Sequence, residues 1–272
     1  MNKNIDEVEF TIFDTETTGL EPGSGDRIVE IAAIRIKGKD KIAVFETLVN
    51  PGREISEAAQ RVNNITAEML EGAPSIEAVM PKFLNFIEGT CVSSYNASFD
   101  MAFLQSELKL LGREPLNIPA VDILRMAKRL LPGLERYPLW FVAQKLSLTT
   151  KQEHRALADV ELTLGVFNRL NEVLKIKQIS DFNSFISLFG ISSGFLEDIH
   201  NQKFSQIQKA IDLGVKLKIR YLSGSSAQVS EREVIPKEIK QDKGRSYLVG
   251  HCCLRQEERT FRIDAILHLE IV

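Results

Sequence analysis

Cysteine, tryptophan and histidine are scarce in this chain, with three, one and four copies in 272 residues. The cysteines, Cys91, Cys252 and Cys253, form no CxxC or Cys/His ligand spacing, and adjacent residues of a strand point to opposite faces. Reduced, structural thiols are therefore expected. No apolar run approaches the roughly 20 residues of a membrane span, and the opening residues MNKNIDEVEF lack the apolar core of a secretion signal. The expectation is a cytoplasmic protein with no membrane partner. No internal repeat or low-complexity tract is evident, and 44% hydrophobic with 26% charged residues is the balance of a folded globular chain, long enough for one large or two ordinary domains.

Net charge is also small, −3, but it is unevenly spread. Residues 1–200 carry 21 Lys+Arg against 28 Asp+Glu, and residues 201–272 carry 13 against 9. The change of sign suggests two modules with different partners. An acidic first part does not exclude a nucleic-acid substrate, because bound metal ions invert the local potential.

What the chain does have is acid at the end of an apolar run. If residues 8–14 form a strand, the period of two sends Asp14 and Glu16 to one face within FTIFDTETTG, residues 10–19. Two carboxylates so placed repel each other unless a cation lies between them, and hard divalent ions prefer carboxylate oxygen. Alone, the stretch describes equally well a strand end running into a polar turn closed by Gly19. Two further stretches bear on the choice: YNASFDMAFL at 95–104, with Asp100 in the first turn of a helix, and HRALAD at 154–159. His154 and Asp159 are five apart, about 140° around a helix. Asp159 is thus expected on a helix over 156–174 and His154 in the polar loop that includes 149–153.

FDTETTG, FDMAFL and HRALAD, in that order, resemble the motifs of the DEDDh (DnaQ-like) 3′-to-5′ exonucleases over roughly residues 8–174. The resemblance implies a ribonuclease-H-like fold, metal ligation by Asp14, Glu16, Asp100 and Asp159, and His154 as general base. It further implies two divalent ions, Mg²⁺ or Mn²⁺, and contacts to the terminal nucleotide from Thr15, Thr17, Thr18, Leu20, Asn96 and Phe99. The expected activity is hydrolysis of single-stranded DNA, or of DNA 3′ ends, to nucleoside 5′-monophosphates, with a polymerase or repair protein as a possible partner. An RNase of the same family and a non-catalytic nucleic-acid-binding regulator are the alternatives.

The remaining sequence gives an α/β expectation. Branched runs at 27–37 and 41–49 around Gly38-Lys39-Asp40 predict a hairpin, so three antiparallel strands open the chain. Helices are expected at 56–63, at 66–70 with Thr66 as N-cap, and at 75–87 with Ser75 as N-cap. A short buried strand at 90–95 and an extended segment at 116–123 follow, giving a mixed sheet flanked by helices. Residues 1–175 are read as the exonuclease domain and 176–206 as a helical linker, with separate elements at 195–201 and 204–213. Residues 207–272 contain five short β runs: 216–221, 230–235, 245–254, 259–263 and 266–272. IRYLSGS, EREVIP, SYLVGHCCLR and ERTFRIDAI in this part resemble the WYL domain, an SH3/Sm-like β-barrel, although Ser246 stands where the name-giving Trp would be and Ala265 where an Arg often follows Asp. That resemblance implies a nucleic-acid or nucleotide pocket using Tyr247, His251, Arg255, Arg259 and Arg262.

Overall fold

The computed structural model describes residues 3–148, 154–191 and 193–272. Three antiparallel strands open it: β1 (Glu9–Thr17), β2 (Ile28–Lys37) and β3 (Asp40–Leu48). β2 is buried along nearly all of IVEIAAIRIK, which explains why it lacks the alternation of a half-exposed strand. The short helices α1 (Glu57–Asn63) and α2 (Ala67–Leu70) follow, capped by the side chains of Ser56 and Thr66, which accept from Ala59 and Met69 N–H. Ser75 stands at the N-cap of α3 (Ile76–Ile87) but makes no side-chain capping bond. Then come β4 (Cys91–Ser94), α4 (Ala97–Leu110), β5 (Ala120–Asp122), α5 (Ile123–Leu130), α6 (Leu139–Lys145) and α7 (Ala156–Ile176). Strand order is β3-β2-β1-β4-β5, with β4 and β5 parallel to the central β1, so the C-terminal ends of these three strands share one edge. This is a mixed sheet of ribonuclease-H-like type.

β1 divides the core. Phe10 and Ile12 face a cluster built with α5, α6 and α7, while Phe13 faces α3 and α4. Two further helices close the first cluster: α8 (Phe182–Phe189) and α9 (Gly194–Leu213). They occupy the stretch expected as a helical linker, yet Phe182, Phe185, Ile186, Leu196 and Ile199 are buried in the same core as Phe10. α9 also corrects the expectation of two elements. Gln202 and Lys203 are ordinary helix formers, and Leu196, Ile199, Ile207 and Ala210 fall on one buried stripe across them.

The C-terminal part is a five-stranded antiparallel sheet, comprising β6 (Leu217–Leu222), β7 (Val229–Asp242), β8 (Arg245–Cys252), β9 (Glu257–Arg262) and β10 (Ile266–Ile271). Its order is β10-β6-β7-β8-β9, and among the described residues β9 and β10 form no ladder with each other, so the sheet is not a closed barrel. β7 runs well past the expected end at residue 235. It crosses Pro236 because the register shifts between Pro236 and Glu238, and a bulge is where a strand tolerates proline. Gly250 lies opposite, where an added Cβ would come within 2.5 Å of the Ile235 carbonyl.

Leu222 and Leu267 of this sheet, and Ala265 of the short turn between β9 and β10, lie in the same apolar cluster as Phe10 and Phe185. At its centre Phe185 meets Phe10, Phe167, Phe182 and Phe189 with ring centroids 5.3 to 6.4 Å apart. Because this cluster takes side chains from both parts of the chain, one unfolding transition is expected. Urea unfolding followed by Trp140 fluorescence and by far-UV dichroism should give coincident curves, and Phe185→Ala should shift both by about 3–5 kcal/mol.

Candidate active site

β1 delivers two of the acids. Asp14 pairs across the antiparallel ladder with Ala32, and Glu16 with Glu30, just before the register breaks at Thr17. Both are half-buried and point to the same side, as the strand period requires. Asp159, in the first turn of α7, brings a third carboxylate, and one oxygen from each of Asp14, Glu16 and Asp159 lies within 4.8 Å of the others. Asp100, in the first turn of α4 and 2% exposed, stands beside this triad but is held differently. Its Oδ1 accepts Thr15 N–H at 3.0 Å and Thr15 Oγ1–H at 2.8 Å, and its Oδ2 accepts from Ser94 Oγ.

The electrostatic consequence is large. Burial, then the charges of Asp100, Glu16, Asp159 and Glu30, push the Asp14 carboxyl well above its ordinary range. Glu16 is pushed up to about 8, by burial first and then by Asp159, Glu30 and Asp100, against a hydrogen bond from Asn63. Burial raises Asp100 to about 6, opposed by its bonds from Ser94 and Thr15. A cluster of oxygen donors that repel one another, with no thiol or imidazole in the triad, is suited to a hard divalent cation.

Glu30, 1% exposed and directly across from Glu16, would add to the repulsion if left alone. Arg155 answers it with Nη2 at 2.7 Å and Nε at 3.2 Å, and Ala156 N–H donates at 3.0 Å. This clamp fixes the start of α7 against β2, and so fixes Asp159 one turn later. His154 immediately precedes it, exposed and in the left-handed region at φ 51°. The loop at 149–153 that was expected to lead into it lies outside the described residues.

Beside the carboxylates is an apolar cavity of about 480 Å³, lined by Thr15, Glu16, Thr17, Gly19, Leu20 and Phe99 and by the α1 face at Ala58, Ala59, Val62 and Asn63. Leu20 is 76% and Val62 50% exposed at its rim. The structure thus brings Thr15, Thr17, Leu20 and Phe99 together. It places Thr18 behind the turn, 1% exposed and bonded to Asp26 Oδ1 at 3.1 Å and Arg27 N–H at 3.0 Å. Gly19 is required there, since a Cβ would fall 2.3 Å from Asp26 Oδ2. Asn96 is exposed at the N-cap of α4 with φ 69°, its N–H donating to Asp122. The α1 wall was not singled out from sequence, because Ala58, Ala59 and Val62 read there only as one side of a short helix.

The five basic and aromatic positions expected in the C-terminal part do not converge. Tyr247, His251 and Arg262 belong to one face of the sheet, because Tyr247 pairs with Arg262 and His251 with Glu258. Arg259 pairs with Gly250 and lies on the other face. Arg255 and Arg259 line a cavity of about 400 Å³ together with Arg232, Ser223, Ser230 and Phe261. Arg232 was not anticipated from sequence, although it lies within the EREVIP stretch.

A family model described as Exonuclease matches residues 11–167, and a model of the WYL domain matches residues 202–271. Among curated proteins, the DNA polymerase III subunit epsilon of Treponema pallidum is 40% identical over 165 residues, which is 60% of this chain and 76% of that protein. The PolC-type DNA polymerase III of Thermotoga maritima is 34% identical over 254 residues, 91% of this chain. This chain spans 18% of the length of that polymerase. Two solved structures show the same fold: exonuclease X in complex with 5′ overhanging duplex DNA (24% identity, TM-score 0.51, 70% of this chain and 98% of that one) and a moderately thermophilic exonuclease I from Methylocaldum szegediense (17%, 0.55, 90% and 54%). Among the described residues, no helix is long and apolar enough to cross a membrane.

A carboxyl whose pKa rises on folding favours the folded state only while protonated, so stability falls as pH climbs from the ordinary 4.5 of Glu16 towards about 8. In the presence of a chelator, Glu16→Gln should therefore melt above the wild type at pH 8, with the advantage gone near pH ~4. Arg155→Ala should lose about 3 kcal/mol in urea titrations by leaving Glu30 buried and unpaired.

Proposed function

Because this chain belongs to the exonuclease family through its residues 11–167, we propose that it is a metal-dependent 3′-to-5′ exonuclease that releases nucleoside 5′-monophosphates from single-stranded DNA or DNA 3′ ends. The observation that carries this reading is the triad of Asp14, Glu16 and Asp159 oxygens, mutually within 4.8 Å, opening beside an apolar cavity. Asp14, Glu16, Asp159 and Asp100 are the residues that would hold two divalent ions, Mg²⁺ or Mn²⁺. Bound there, such ions supply charge neutralisation at the scissile phosphate and a more acidic water. The apolar wall of Leu20, Val62 and Phe99 would receive the terminal base, as an aromatic face and aliphatic rim can do without reading its identity.

His154 takes the proton of the attacking water in this scheme, a role suited to imidazole near neutral pH. Its position on an exposed turn ahead of α7 lets it approach a bound strand end, while Arg155 holds the helix itself in place. Thr15 fixes Asp100 with two hydrogen bonds and so orients that carboxylate. Support for DNA over RNA comes from the relatives named as DNA polymerase III components. The same relatives make a polymerase or repair partner, and a cytoplasmic location, our working assignment.

Residues 1–175, 176–206 and 207–272 serve as the functional division, with the last part holding or sensing single strands. Its open sheet is proposed as a part-closed SH3/Sm-like barrel whose cavity, lined by Arg232, Arg255 and Arg259, contacts phosphate. Tyr247 and His251 would supply a second, stacking face.

The test is a time course on 5′-labelled single-stranded DNA and RNA of one sequence with Mg²⁺ or Mn²⁺. A ladder shortening from the 3′ end, faster on DNA and absent for Asp14→Ala, is expected, with His154→Ala slowing it by about 10²–10⁴-fold. A faster ladder on RNA assigns the enzyme to ribonucleic acid. No ladder on either strand, with tight binding retained, makes the chain a binding regulator.

A further inference from the structure

Where α5 meets the C-terminal sheet there is a third cavity, of about 300 Å³. Arg125, Lys128 and Arg129 line it from α5, and Arg245, Arg262 and Ser223 from the sheet. The carboxylate at this seam is Asp264. Arg262 donates to it through Nη2 at 2.6 Å and Nε at 3.1 Å, Arg125 through Nη2 at 3.3 Å, and Arg129 through Nη2. Three of these contacts fall on Oδ2 and one on Oδ1, so a single carboxylate serves three guanidinium groups. Lys128 and Arg245 stand exposed at the mouth.

A seam held together only by ion pairs would balance its charges. Here five positive charges, Arg125, Lys128, Arg129, Arg245 and Arg262, face two negative ones, Asp264 and, near Arg125 at the start of α5, Asp122, and the Arg129 and Asp264 side chains are only 11% and 13% exposed. Concentrating like charge in a partly buried place costs stability. The cost is visible at Arg129, which burial, and then Arg262 and Arg125, pull down to about 10 against the attraction of Asp264. Guanidinium forks pair with phosphate through two parallel bonds, and a cavity near 300 Å³ is at the small end of those that hold a ligand.

We propose that the seam between α5 and the C-terminal sheet is a phosphate-binding site, separate from the carboxylate centre, that takes the phosphate of a nucleotide, free or within a single strand. Its two walls come from the two matched regions, so an occupant ties them together. The site uses none of the residues assigned to hydrolysis and does not rest on that assignment.

Binding to the full chain in EDTA tests it, by calorimetry with three probes: inorganic phosphate, dTMP, and a dT octamer with phosphorothioate linkages. The probes are titrated into the wild type and into Lys128→Glu/Arg245→Glu, whose positions are exposed and whose fold is checked by thermal melting. At least one probe should bind the wild type, and the double variant should weaken it about ten- to a hundredfold. For the octamer, the slope of log affinity against log salt should fall by about two, one for each contact removed. Tighter binding of dTMP than of the octamer identifies a free nucleotide as the ligand, and the reverse order identifies a strand. The proposal is overturned if no probe binds the wild type, or if the double variant binds like the wild type.

Discussion

Repulsion among acids at the end of β1 is the constraint to which the rest of the exonuclease part is fitted. Asp14, Glu16, Glu30, Asp100 and Asp159 converge there from two strands and two helices, and burial alone would drive several of them neutral. The protein manages the five unequally. Asp100 is stabilised by Thr15 and Ser94, and Glu30 by Arg155 and the first N–H of α7. Asp14 and Glu16 are left half-buried and strongly perturbed. Glu30 is thus satisfied by the chain itself, Asp100 is held in place beside the triad, and Asp14 and Glu16 are left most in need of a cation; such perturbation at a cleft is where chemistry is found.

The same constraint explains the supporting architecture. A parallel β1–β4 pair puts the first and second motifs at one sheet edge, and Asp100 and Asp159 each stand on the first turn of a helix whose N-terminal dipole favours negative charge. The Glu30–Arg155 clamp makes β2 a partner in positioning α7. Lys203 plays a comparable part further on. It lies on the buried stripe of α9, with its ammonium donating to Ser187 Oγ at 2.6 Å and to the Ile263 and Ile266 carbonyls. Cations bound to backbone oxygen and to Asp264 therefore join the C-terminal sheet to the helices.

Much of this was legible in the sequence, and the reasons differ by element. The strand FTIFDTETTG placed Asp14 and Glu16 on one face by period alone, and the five-residue spacing separated His154 from Asp159. The three opening strands followed from branched runs around Gly38, with the cap at Thr66 confirmed by its bond to Met69 N–H. Less visible were features set by tertiary contact. No local signal in Glu30 shows that it meets Arg155, 125 residues away. Pro236 reads as a strand end, because the bulge that accommodates it depends on β8. The helical stretch 182–199 reads as a connection, since its apolar positions reveal burial but not which surface they are buried against. Arg125 and Arg129 look like an ordinary helix face until Asp264 is brought to them from the other end of the chain.

The central claim is that the carboxylates around Asp14 form a cation site because their mutual repulsion requires one. Anomalous diffraction at the manganese edge from crystals grown in Mn²⁺ tests it directly. Peaks within bonding distance of Asp14, Glu16 and Asp159 oxygens, lost in Asp14→Asn crystals, are the result this account predicts. Manganese absent from that cluster, with the wild-type carboxylates undisplaced, would contradict it.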